Sequence, residues 1–102
     1  MFEGITRYIP EPTEEVTVYA SNLPKEIRGI FNLGTAPLEF ERNDVGFHRE
    51  VKEDGVKGYL LILSKNKTIA DVYNSDFIKE FENNPDYSFV HIIDWNENYF
   101  KP

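Results

Sequence analysis

Apolar and polar positions alternate with period two in several short runs, and each run predicts a half-buried β-strand. Gly4-Ile5-Thr6-Arg7-Tyr8-Ile9 and Gly46-Phe47-His48-Arg49-Glu50-Val51 share one order: Gly, apolar, polar, Arg, polar, apolar. A polar turn follows each: Pro10 to Glu15 after the first, Lys52-Glu53-Asp54-Gly55 after the second. The Asp-Gly pair is a strong hairpin signal, because both residues tolerate positive φ. A second strand follows each turn. Val16 to Ala20 is β-branched and alternating, whereas Tyr59 to Leu63 is apolar on both faces, as a covered central strand would be.

The period then changes to that of a helix. Ile27, Ile30 and Phe31 form one apolar stripe, with Pro24 near its start, Asn22 as an N-cap candidate and Asn32-Leu33-Gly34 as its stop. Phe77, Ile78 and Phe81 form the other, after the cap cluster Asn74-Ser75-Asp76 and before Asn83-Asn84-Pro85. A third strand follows each helix. Leu38-Glu39-Phe40-Glu41 alternates cleanly; Phe89 to Ile93 is more apolar and is expected to be more central.

These elements predict an α+β fold: two tandem β-β-α-β repeats, over about 3–42 and 45–95, packed about a pseudo-twofold into one small domain over 1–102. The second repeat should dominate the core and the first should supply outer strands. Lys65 to Tyr73 has no counterpart in the first repeat and predicts either a short strand or a helical turn. The tail from Trp95 to Pro102 carries three aromatics among polar residues, and either folds back on the body or extends from it.

Composition narrows the function classes. A chain of 102 residues suits one domain, and 15% aromatic content argues against disorder. No apolar run approaches the roughly 20 residues of a membrane-spanning helix, and the start Met-Phe-Glu-Gly lacks the basic region and apolar core of a signal peptide. The absence of cysteine excludes disulfides, thiolate chemistry and cysteine zinc sites. Eleven Lys and Arg face 18 Asp and Glu, for a net charge of −7. Such a chain lacks the basic face that displaces phosphate counterions, so no direct nucleic-acid contact is expected. The acids are dispersed, Glu-Pro-Thr-Glu-Glu being the densest cluster, whereas a nucleic-acid mimic needs long runs of spaced carboxylates.

The start Met-Phe-Glu-Gly-Ile-Thr-Arg-Tyr, the length and the duplicated small unit without cysteine give the chain its character. In these respects it resembles small uncharacterised proteins of filamentous viruses that infect hyperthermophilic archaea. The resemblance implies a viral protein in the cytoplasm of the infected host cell. It brings no activity or catalytic residues with it.

Local motifs for chemistry are few. No phosphate-binding loop, nucleophile elbow, zinc-protease or EF-hand pattern occurs. His91 shares strand register with Phe89 and Ile93, near Asp94 and Glu97; His48 lies on the polar face of its strand. Metal ligation would need a convergence that strand spacing does not supply, so no metal and no cofactor are expected. Arg7 stands between Ile5 and Ile9, and Arg49 between Phe47 and Val51, each at spacing two. Each guanidinium therefore shares a face with apolar side chains and needs a partner. Either the stems pack while the heads reach a strand edge or an internal carboxylate, or both line a groove and fork onto a ligand. Tyr8, Tyr19 and Tyr59 add amphipathic surface on the same strands.

The reading that follows is a non-enzymatic module, monomeric or weakly dimeric. It would bind an extended protein segment in the cleft between the repeats through Arg7, Arg49, Tyr8, Tyr19 and Tyr59. The alternatives are a small hydrolase or nuclease using His91 with nearby acids, or an acidic inhibitor of a nucleic-acid-binding protein.

Overall fold

The computed structural model describes residues 14–102. The expected strand over Gly4–Ile9, and with it Arg7 and Tyr8, lies outside the described residues. The rest is a small α+β domain. One five-stranded sheet runs β1 (Glu15–Tyr19), β2 (Pro37–Arg42), β3 (Gly46–Glu53), β4 (Val56–Leu63), β5 (Val90–Ile93), in spatial order of sequence. The first three pairings are antiparallel, and β4–β5 is parallel. Between β1 and β2 lie a 3-10 turn (Ala20–Asn22) and α1 (Lys25–Phe31); between β4 and β5 lie α2 (Ile69–Tyr73) and α3 (Asp76–Glu82).

Alternation along the strands sorts side chains onto two faces. Val18, Phe40, Phe47, Val51, Leu60 and Ile62 meet Leu23, Ile27 and Phe31 from the α1 region, and Tyr99, in one apolar cluster. On the opposite face Val45, Leu61 and Leu63 meet Val72 of α2 and Phe77 of α3. Strand β4 is covered on both sides, and Leu60, Leu61, Ile62 and Leu63 are all buried, as its unbroken apolar run predicts.

Local chemistry sets the boundaries. Asp54 and Gly55 both adopt positive φ, 53° and 83°, and join β3 to β4 with Glu53 opposite Val56. Asn32 closes α1 in the left-handed region at φ 55°. The Ser75 hydroxyl accepts from the Ile78 N–H, capping α3. The segment Lys65 to Tyr73 resolves as a helical turn, its start held by the Thr68 N–H donating to the Asp71 carboxylate at 2.8 Å.

Several expectations need correction. Among the described residues the two-copy arrangement is not reproduced. The strands that flank α1 are antiparallel neighbours, while those that flank α2 and α3 are parallel neighbours, so the second connection must cross over the sheet and the first need not. The helices accordingly cover opposite faces. Strand β5 is an edge strand and half-buried throughout; its apolar residues pack on α1 through one face and α3 through the other. Ile30 is 41% exposed, because seven residues of helix present only Ile27 and Phe31 to the sheet. Asn22 caps no helix: its side-chain amide donates to the carbonyls of Asn98 and Lys101 and draws the tail onto the body. There a 3-10 turn (Glu97–Phe100) buries Tyr99 and stacks Phe100 on Trp95 at 4.9 Å.

Burial fixes the expected mutational contrast. Leu61→Ala removes a fully buried side chain from β4 and should cost about 2–5 kcal/mol, whereas Ile30→Ala should cost under about 1 kcal/mol. Denaturant unfolding of the two variants checks this, and equal losses would contradict the placement of Leu61 at the centre.

Candidate functional site

A concavity opens where β2 and β3 part. These strands pair only through Glu41 with His48 and Arg42 with Phe47, next to their turn. Beyond that point β2 continues to pair with β1, and β3 with β4, but not with each other. The gap is a groove of about 450 Å³ lined by Glu15, Glu39, Glu41, His48, Arg49, Glu50, Tyr59 and Tyr87. A smaller recess of about 70 Å³ shares His48 and Tyr59 with it and runs between Phe77, Glu80, Phe81 and Asn84 of the α3 side.

The turn residues between the two strands hold this region together. Asn43 Oδ1 accepts from the main-chain N–H groups of Val45 and Gly46, both at 2.8 Å. That orients its Nδ2 toward His48 Nδ1, also at 2.8 Å. Nδ1 is therefore an acceptor, and the imidazole proton sits on Nε2, which faces Glu41 Oε1 at 3.4 Å. Asp44 turns the other way: its carboxylate accepts from the N–H groups of Asp76 and Phe77, at 2.8 and 3.2 Å, at the start of α3. Gly46 permits the close approach of β3 to β4, since a Cβ there would meet the Ile62 carbonyl.

Burial beside Tyr59 and Phe77 lowers the His48 pKa; the carboxylates of Glu41 and Glu80 act in the opposite sense and do not cancel it. With Nδ1 occupied by Asn43 and Nε2 carrying the proton, the ring has no lone pair to offer a reacting group. His48 is a wall of the groove and a brace for its turn.

Arg49 enters the gap itself. Its neighbours Phe47 and Val51 are buried in the core, while its guanidinium reaches across and donates to the main-chain carbonyl of Glu39 at 3.0 Å. That carbonyl would bond a strand lying between β2 and β3. The far wall is aromatic: Tyr59 and Tyr87 stack at 4.4 Å, and the Tyr87 hydroxyl donates to Glu50 Oε1 at 2.8 Å. That bond, then the Tyr59 hydroxyl, raises the Tyr87 pKa.

Of the five residues expected to form the site, the structure brings Arg49 and Tyr59 together. Tyr19 lies half-buried at the end of β1 opposite Pro37 and does not line the groove. Arg7 and Tyr8 lie outside the described residues. The groove also contains residues that the sequence reading passed over: Glu15, Glu39, Glu41, Glu50 and Tyr87. The alternation Leu-Glu-Phe-Glu already places Glu39 and Glu41 on one face, and His48 and Glu50 on another single face; only the strand pairing shows these to be the same face.

His91 stands elsewhere, edge-on to Phe31 at 5.5 Å on the α1 side of the sheet. Among the described residues it forms no ion pair with Asp94 or Glu97, and no group of three His, Cys, Asp or Glu side chains is placed to hold a metal ion. No described helix is long and apolar enough to cross a membrane. No family model, curated protein or solved structure matches the chain.

The depressed His48 pKa sets a pH dependence. Above the unfolded value of about 6.5 the ring is neutral in both states and its packing is fully kept. As pH falls below it the unfolded chain takes up the proton first, so stability declines until the folded pKa is passed. Unfolding midpoints of the native chain and His48→Gln should therefore draw closer as pH falls from 7.5 to 5; a constant gap would show that His48 does not titrate differently on folding.

Proposed function

We propose that this protein is a non-enzymatic binding module that receives an extended protein segment in the groove between β2 and β3. The groove lies at the boundary between the two sequence halves, about 3–42 and 45–95. The observation that carries the reading is the early parting of β2 and β3. Two strands in one sheet turn unpaired main-chain edges toward each other across a groove large enough for side chains. Exposed edges are normally shielded because they template pairing with another chain. Strand addition uses such edges, with main-chain hydrogen bonds for affinity and flanking side chains for selection. Arg49 supports this role, since it already holds the Glu39 carbonyl that an incoming N–H would seek. Tyr59 and Tyr87 supply rigid amphipathic contact area at small entropic cost.

The same proposal keeps Arg7 as a second guanidinium donor beside Arg49 and Tyr8 as a further contact, and leaves Tyr19 outside the groove. It keeps the resemblance to proteins of filamentous archaeal viruses as its setting: an accessory protein that meets its partner in the host cytoplasm, as a monomer or weak dimer, without a cofactor.

Amide shifts of the isotope-labelled chain during titration with blocked extended peptides test the reading. Shifts should concentrate at 38–41 and 48–53. Arg49→Ala should weaken binding about tenfold, equivalent to ~1.4 kcal/mol, with the unfolding midpoint nearly unchanged, and Arg7→Ala should weaken it comparably. Shifts absent from both strand edges, or an Arg49→Ala chain that unfolds, would make Arg49 a structural residue and remove the proposal.

A further inference from the structure

We infer that the segment received by this groove is an alternating basic–apolar strand, with Lys or Arg at every second position. The inference rests on the strand-addition reading and adds to it the chemistry of the occupant.

A strand between β2 and β3 would have two different surroundings on its two sides. One side faces the groove. There, among the described residues, Glu15, Glu39, Glu41 and Glu50 stand against the guanidinium of Arg49, and His48 Nδ1 accepts from Asn43. Among the described residues none of these four carboxylates is ion-paired to a Lys or Arg. Their described partners are hydroxyls and an imidazole: Thr17 donates to Glu39 at 3.0 Å, Tyr87 to Glu50, and His48 approaches Glu41. Among the described residues, then, no Lys or Arg salt bridge has to be broken for a cationic ligand to approach them. The stacked rings of Tyr59 and Tyr87 give the methylene stem of a Lys or Arg an apolar wall. Lys57 already stands over the Tyr87 ring at 5.1 Å, so this stack accommodates an ammonium within the fold itself.

The other side faces the α1 layer. At the same level of the sheet its residues are Leu38 and Phe40 of β2 and Val51 of β3, all members of the apolar cluster or packed against it. Successive side chains of an extended strand point to opposite faces. A ligand strand would therefore turn one set of residues to the carboxylates and the intervening set to Leu38, Phe40 and Val51. Charge alone would accept any basic chain. The two-sided environment demands period two.

Four blocked seven-residue peptides decide the matter. One alternates Val with Lys; the second alternates Val with Thr; the third alternates Val with Glu; the fourth has the composition of the first with all Lys placed together. The Val–Lys peptide should bind at low salt at least tenfold more tightly than the other three, with amide shifts at both 38–41 and 49–53. Its affinity should fall severalfold between 0.02 and 0.2 M salt, as screening of exposed charges requires. Glu15→Gln with Glu39→Gln should lower its affinity about tenfold and leave Val–Thr binding unchanged; Gln at 39 still accepts the Thr17 bond. Equal binding of the Val–Thr and Val–Lys peptides would overturn the basic preference and leave strand addition standing. Equal binding of the alternating and blocked-together Lys peptides would overturn the period-two requirement. If no peptide moves the two strand edges, the groove reading itself falls, and the inference with it.

Discussion

The turn between β2 and β3 is the constraint on which the rest of this fold depends. Two adjacent acid and amide side chains there serve two different layers. Asn43 fixes its own turn through two main-chain N–H groups and braces His48. Asp44 reaches 32 and 33 residues along the chain to satisfy N–H groups at the start of α3. A helix of seven residues has little stability of its own, so satisfying its first turn from the sheet is a large part of what fixes it in place. Through α3 the same turn sets where Phe77 meets Tyr59 and His48, and so where the inner end of the groove closes.

The parting of β2 and β3 follows from conflicting demands on the two strands. Strand β2 belongs with β1, to which it pairs over five residue pairs, and β3 belongs with β4, to which it pairs over eight. Each antiparallel pair twists as a unit, and two-stranded ribbons twist more strongly than wide sheets. The ribbons remain joined only next to the Asn43–Asp44 turn. Arg49 then fills part of the opening, satisfying a carbonyl that neither ribbon can reach. An apolar residue at 49 would leave that acceptor to water; the long polar side chain keeps the edge defined while leaving the groove open.

Much of the local structure was legible in the sequence. Asp54-Gly55, the Ser75 cap, Asn32 and the continuous apolar run of β4 each carry their reason within a few residues. What could not be read is what depends on pairing partners. Val90 to Ile93 is as apolar as a central strand because helices cover both its faces, yet it lies at an edge; composition reports coverage by other layers and not neighbours within a sheet. Similar element orders in the two halves concealed opposite strand polarity around their helices, since polarity leaves no mark on hydrophobic period. At the site, the Gly-x-x-Arg pattern singles out Arg49, which the fold places in the groove. The carboxylates around it were invisible as a group, because they come from three strands whose register only the fold supplies.

The clamp from Asn22 to the tail has a consequence for how the chain reaches this state. Asn22 joins carbonyls 76 and 79 residues further on, and Tyr99 occupies a place in the same core as Val18. Contacts of such sequence separation must overcome most of the chain's loop-closure entropy before they return anything. During synthesis the α1 side of the sheet therefore stays incomplete until Tyr99 and Lys101 have emerged. The Asp54-Gly55 hairpin can form early, but the layer that covers its α1 face waits for Tyr99 to reach it, so this face is the last to pack.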